Sequence, residues 1–358
     1  MEKLGARLGI AAAAMFAASL SGAAVGGTTQ RAFVASYGQA ANSAFNCSLA
    51  FPCRQFSEAL GVTAAGGEVV ALDSAGYGTV TIVQSVSIIA APGVYAGISA
   101  FAGQDGVIVD GPGAHVVLRG LMINGQGGLN GVHVLAADEL HIEDCTLANF
   151  AANGIRVDSA TIVHIVRANV RSNGFRGLNL FSGSPSVEVS DSRFIQHTGQ
   201  GIFIASGEFN GSRLTIEDNI GGGVLAQSSA PVTVSATLAD SVLTRNGSGF
   251  LVRALGGGTV NAALTGVTLR RNTMGGIVSF GGTATTVVAN SYAVDNGGDG
   301  ISAQAGATVV VSGSTTTGNI GFDLLQQDAA VLRSAGNNAL SGRGAADVGG
   351  TLTPNALR

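Results

Sequence analysis

Residues 154–177 read Gly-Ile-Arg-Val-Asp-Ser-Ala-Thr-Ile-Val-His-Ile-Val-Arg-Ala-Asn-Val-Arg-Ser-Asn-Gly-Phe-Arg-Gly. Three short runs lie inside this stretch: Ile155-Arg156-Val157, Val163-His164-Ile165-Val166 and Ala168-Asn169-Val170-Arg171. Each alternates apolar with other residues at period 2, the pattern of a strand with one buried face. Ile155, Val157, Ile165 and Val170 take the inward positions, as do Ile202, Ile204, Val189 and Phe194 in neighbouring copies. Runs of three or four residues are too short and too closely spaced to pair with one another. Each must pair with its own copy in the next repeat, about 4.8 Å away.

The copies are regular. A glycine recurs at Gly131, Gly154, Gly177, Gly201, Gly223, Gly249, Gly276, Gly300 and Gly321, at spacings of 23, 23, 24, 22, 26, 27, 24 and 21. A small or aliphatic residue stands nine positions before several of them, as at Cys145, Ala168, Ser192, Val267 and Ser291. One side of the repeat is therefore held at constant length while the other accepts insertions. The corner before the glycine carries Asn173, Asn219, Asn246, Asn272 and Asn296, with His197 in one gap. Asparagine tolerates left-handed backbone, and its amides can hydrogen-bond along a stack. The pattern predicts an all-β solenoid of about ten coils with three short strands each, every coil contacting only its neighbours.

Composition agrees. Charged residues are 11% of the chain, Gly accounts for 55 of 358, and Trp is absent. A formal net charge of −4, with Lys3 the only lysine, leaves no electrostatic footprint for nucleic acid. Lys3 and Arg7, the apolar run Leu8 to Leu20 and the small residues Ser21 to Ala24 predict a signal peptide over 1–24. The expected location is secreted or periplasmic, with no transmembrane span in the mature chain. In such a compartment Cys47 and Cys53 are expected to form a disulfide, and Cys145 to be an inert core residue. The expected organisation is an N-terminal cap over 25–66, the solenoid over 67–334 and a C-terminal cap over 335–358. Helical apolar spacing in the run from Cys53 to Leu60 places a short helix in the first cap.

The repeat, the Asn corner, the opening Phe-Val-Ala-Ser-Tyr-Gly-Gln-Ala-Ala-Asn (33–42) and the segment Gly66-Gly67-Glu68-Val69-Val70 resemble the right-handed parallel β-helix superfamily. That superfamily includes pectate lyases and polygalacturonases, and the resemblance spans about residues 33–350. It implies a right-handed coil and a cleft over the second strand of each coil, two strands before the Asn corner. It implies a catalytic role less firmly. No Asn-Thr-Asp, Asp-Asp or Arg-Ile-Lys motif occurs, and Ala40 stands where such openings often carry an acidic residue.

On that expected cleft, His141, His164 and Glu188 form one outward column, with Glu143 one step along the strand. At the next corner the column reads Asp144, Arg167, Asp191, Arg213, Asp240. Alternating charges stacked across coils serve first as a structural ladder. If the protein is catalytic, Glu143, Asp144, Glu188, Asp191 and Arg167 are its candidates; His141, His164, Glu188 and Arg213 are the candidate ligand-binding residues. His141 and His164 could join Glu188 or Glu143 around a transition metal, but solvated surface histidines are the simpler reading, so no metal site is assigned. No cofactor is implied. Calcium would accompany a lyase, and the arginines beside Asp144 and Asp191 argue against it. Phe203, Leu225, Leu251 and Val278 form an outward apolar column suited to self-association. The preferred reading is a glycan-binding or surface structural protein. A polysaccharide lyase or hydrolase comes second, and a self-associating envelope protein third.

Overall fold

A computed structural model of the chain describes residues 28–342 and 346–355. The export signal expected over 1–24 lies outside the described residues. A typical coil contributes a first, a second and a third strand, as in Ile155–Val157, Ala160–Val166 and Asn169–Arg171. Each strand pairs in parallel with its copies in the coils on either side. Ile155 aligns with Val132 and Leu178, His164 with His141 and Glu188, and Val170 with Leu147 and Phe194. The sheet of third strands has 12 members, so the solenoid has about two more coils than the glycine landmarks suggested. The additional coils lie before Gly131: Gly106 holds the glycine position in the coil whose Val107 pairs with Val132, and Thr79 stands there one coil earlier, ahead of Val80.

The helix Phe56–Val62 turns Phe56, Ala59 and Leu60 into the N-terminal end of the core, and Gln55 and Glu58 close its first turn as a capping box. The Cys47–Cys53 disulfide lies beside it, with both sulfurs buried and the Cα atoms 4.9 Å apart. At the other end, Ala339–Ser341, Val348–Gly349 and Leu352–Pro354 still pair in parallel with the preceding coil, so strand pairing continues past residue 334.

The corner between the second and third strands is a single left-handed residue. Asp144, Arg167, Asp191, Arg213, Asp240 and Asn290 have φ between 48° and 53°, and Gly120, Gly266 and Gly313 hold the same place in other coils. The conformation costs a non-glycine residue about 1–2 kcal/mol, yet the corner N–H stays in the inter-coil ladder, as from Asp144 to the Val166 carbonyl at 3.1 Å. Side chains at this turn stack outward, which is why the charged column exists.

The Asn corner is a buried ladder. The backbone N–H of Asn219 donates to Asn246 Oδ1 (3.1 Å), that of Asn246 to Asn272 Oδ1 (3.0 Å) and that of Asn272 to Asn296 Oδ1 (3.1 Å). The side-chain amides repeat the same contacts. His197 joins by accepting the Asn173 N–H on Nδ1, and burial pushes its pKa down to about 4, so the ring is neutral. The recurring glycine faces this ladder. A Cβ on Gly249 would lie 2.4 Å from the Gly276 carbonyl oxygen and 3.0 Å from Asn272 Nδ2. The last copy is not Gly321. Ile301 donates to the Asp323 carbonyl in the place where Ile277 donates to Gly300, so Asp323 occupies the glycine position. Its carboxylate accepts the final ladder amide, from Asn319 Nδ2, at 2.9 Å, and ends the stack.

A second buried column runs through the small residues. Ser192, Ser241 and Ser291 each accept a backbone N–H from the preceding coil and donate to a carbonyl two residues back. Cys145 takes this position, with Sγ 3.2 Å from the Glu143 carbonyl oxygen. Burial pushes its thiol up to about 12, as expected of an inert core cysteine.

Candidate functional site

The outward face of the second sheet brings the predicted column together. His141 and His164 stack with ring centroids 4.7 Å apart and planes at 27°, because their strands are in register and both side chains leave the same face. Glu188 follows in the next coil, with Oε2 3.3 Å from His164 Nδ1, and is 65% exposed. Asn210 and Thr237 continue the row and share a short hydrogen bond. An open groove of about 310 Å³ runs beside them, lined by His164, Glu188, Ser190, Asn210, Ser212 and Thr237.

Two participants were missed in the sequence. Glu139 sits two residues before His141, hence on the same face, and its Oε1 accepts from His141 Nε2 at 2.7 Å. Its Oε2 meets His115 Nδ1 at 2.8 Å. These bonds to His141 and His115 hold the Glu139 carboxyl below the usual carboxylate range. Alternation in Glu139-Leu140-His141 could have revealed the first contact. The second depends on the register of Glu139 against His115, in a coil that precedes the regular repeat.

The other candidates are largely engaged with each other. Glu143 accepts from Arg119 Nε at 2.7 Å. Asp144 is held by Arg167, with Nε to Oδ1 at 2.6 Å, and Asp191 by Arg213, also at 2.6 Å. These bonds lower both carboxyls' pKa values. Both arginines of the column are thus matched to carboxylates within it.

On the first sheet, His133 is wedged between two carboxylates, with Nδ1 2.7 Å from Asp105 and Nε2 3.0 Å from Asp158. The Asp105 hydrogen bond leads in raising the pKa of His133, against its burial. Arg156 also binds Asp158, at 2.9 Å. The apolar column on this sheet is less accessible than its sequence implied. Phe203 and Leu225 are each only 7% exposed, and the Arg176 guanidinium covers the Phe203 ring at 3.6 Å. Leu251 and Val278 are half-buried.

The chain matches the family model described as a right handed beta helix region over residues 74–211 and 205–351, and it belongs to that family. No curated protein sequence matches it. Among solved structures it is similar to the A-module of the Azotobacter vinelandii mannuronan C-5 epimerase AlgE6, at 13% identity and a TM-score of 0.64, covering 81% of this chain and 90% of that one. It is also similar to pectate lyase Pel9A, at 14% identity and a TM-score of 0.52, covering 92% of this chain and 80% of that one. The Dettilon tailspike protein aligns at 14% identity and a TM-score of 0.53, covering 79% of this chain and 62% of that one. At these identities the likeness is one of fold. Among the described residues no helix is long and apolar enough to cross a membrane.

Proposed function

We propose that this is an exported protein that binds an extended glycan along the second sheet, between His141 and Arg213, without cleaving it. The open groove beside His164, Glu188, Asn210 and Thr237 carries the reading. Consecutive coils offer polar side chains at about 4.8 Å steps, close to the length of a sugar residue, so a linear polymer can repeat its contacts. Arg119, Arg167 and Arg213 are all bonded to carboxylates, which favours a neutral, hydroxyl-rich chain over a uronate. The same pairing occupies Glu143, Asp144, Arg167 and Asp191, four of the five catalytic candidates. The likeness to a mannuronan epimerase and a pectate lyase, whose names give polysaccharide substrates, supports a glycan as the ligand. Affinity electrophoresis of the mature protein through neutral glucans, pectin, polygalacturonate and alginate tests it, alongside assays for reducing ends and unsaturated products with calcium present. Retardation without turnover is expected, and Asn210→Ala with Thr237→Ala should abolish most of it. No retardation by any polymer would refute binding. Turnover lost in Glu188→Gln would make this an enzyme.

A further inference from the structure

Five side chains on the second sheet have the arrangement of a metal site and its support. His141 Nε2 lies 2.7 Å from Glu139 Oε1, and His164 Nε2 lies 4.0 Å from the same oxygen. One ligand atom from each of these three residues falls within 4.8 Å of the others. Both imidazoles turn their second nitrogen to a carboxylate: His164 Nδ1 to Glu188 Oε2 at 3.3 Å, and His141 Nδ1 to Glu143 Oε1 at 4.0 Å. A metal-binding histidine characteristically leans on such a carboxylate, which fixes its ring and tautomer. Glu143 is itself anchored by Arg119 at 2.7 Å, and the second oxygen of the ligand Glu139 by His115 at 2.8 Å.

We propose that Glu139, His141 and His164 bind one divalent transition-metal ion, such as zinc, leaving a fourth position open toward the groove. Two histidines, one glutamate and an open position form a ligand set that suits zinc. Tetrahedral zinc places its ligand atoms about 3.4 Å apart, so His141 Nε2 must move off Glu139 Oε1 from 2.7 Å while His164 Nε2 closes on it from 4.0 Å. Calcium is the wrong ion, because it takes six to eight oxygens and this site supplies two nitrogens. The ion would take the place of the hydrogen bond between His141 and Glu139. Water or a sugar hydroxyl would take the open position.

Mature protein freed of metal with EDTA is titrated with zinc chloride by calorimetry, and with Co2+ by visible absorption. One ion per chain is expected, with a cobalt spectrum of tetrahedral nitrogen and oxygen ligation in the unaltered protein. His141→Gln combined with His164→Gln should weaken zinc at least about 100-fold, and Glu188→Gln about 10-fold through His164. His133→Gln, on the first sheet, should leave affinity unchanged. Absence of saturable binding, or a cobalt spectrum without nitrogen ligands, overturns the site even if a substituted chain fails to fold. Zinc occupancy does not depend on whether the groove takes a glycan, so a chain that binds zinc and no sugar leaves this site standing.

Discussion

Arg167 grips Asp144 across one coil step with two hydrogen bonds, 2.6 Å from Nε to Oδ1 and 2.9 Å from Nη2 to Oδ2. Arg213 holds Asp191 in the same way two coils further on, at 2.6 and 2.8 Å. Both pairs stand at left-handed corners, so the turn that stacks these side chains also aims them along the solenoid axis. The pairs are solvent-exposed, and their contribution should be small and sensitive to salt.

Asp191→Asn isolates that charge, because asparagine also accepts the left-handed backbone at φ 51°. The melting temperature should fall by about 1–2 °C at low ionic strength and by less in 0.5 M salt. A melting temperature unchanged at low salt would mean the pair adds nothing to stability.

The Asn ladder should matter more. Asn246→Ala removes the acceptor of both the backbone N–H and the side-chain amide of Asn219, and the donor to the Ile216 carbonyl. Two buried donors left without partners cost about 2–4 kcal/mol, measurable by urea unfolding. The exposed Asn261→Ala is the comparison, and equal effects at the two positions would remove the ladder's role.

The His133 network sets a pH window. Both ring nitrogens face carboxylates, so the imidazolium is the bound form. Its folded pKa is raised above 6.5; that stabilisation is complete below the unfolded value and is lost as pH rises through the folded one. Burial alone would raise Asp105 and Asp158, but hydrogen bonds to Asp105 from His133 and to Asp158 from Arg156 outweigh it and lower both. Their contribution is present above about pH 4 and fades as pH falls through the depressed values. His133→Gln should therefore cost about 1–3 kcal/mol near pH 5–6 and clearly less at pH 9, by urea unfolding at each pH. A cost independent of pH would show that His133 is neutral in the fold.

Repetition makes most of the architecture legible in the sequence alone. The parity of Ile155, Val157, Ile165 and Val170 assigns their faces directly, since a strand has no other way to alternate. The constant nine-residue spacing located the Asn corner, and the Cys47–Cys53 pair followed from compartment and proximity. His141, His164 and Glu188 could be stacked for the same reason. Gly321 was misplaced because a glycine two residues from the true register satisfies the pattern equally well. Pairing alone identifies Asp323 as the residue in line.

Tertiary structure decided which neighbour each outward side chain meets. Asp144, Arg167 and Asp191 are equally spaced in the sequence pattern, and only the lean of the guanidinium assigns Arg167 to Asp144. Glu139 joins His115 to His141, and His133 joins Asp105 to Asp158, across separations of 24 to 28 residues or through a shared strand. Coil length varies between first and second strands, so sequence offset does not fix these lateral registers until backbone pairing does. The Phe203 column shows the same limit. Period 2 points Phe203 outward, but the guanidinium of Arg176, arriving from the preceding coil, closes over its ring.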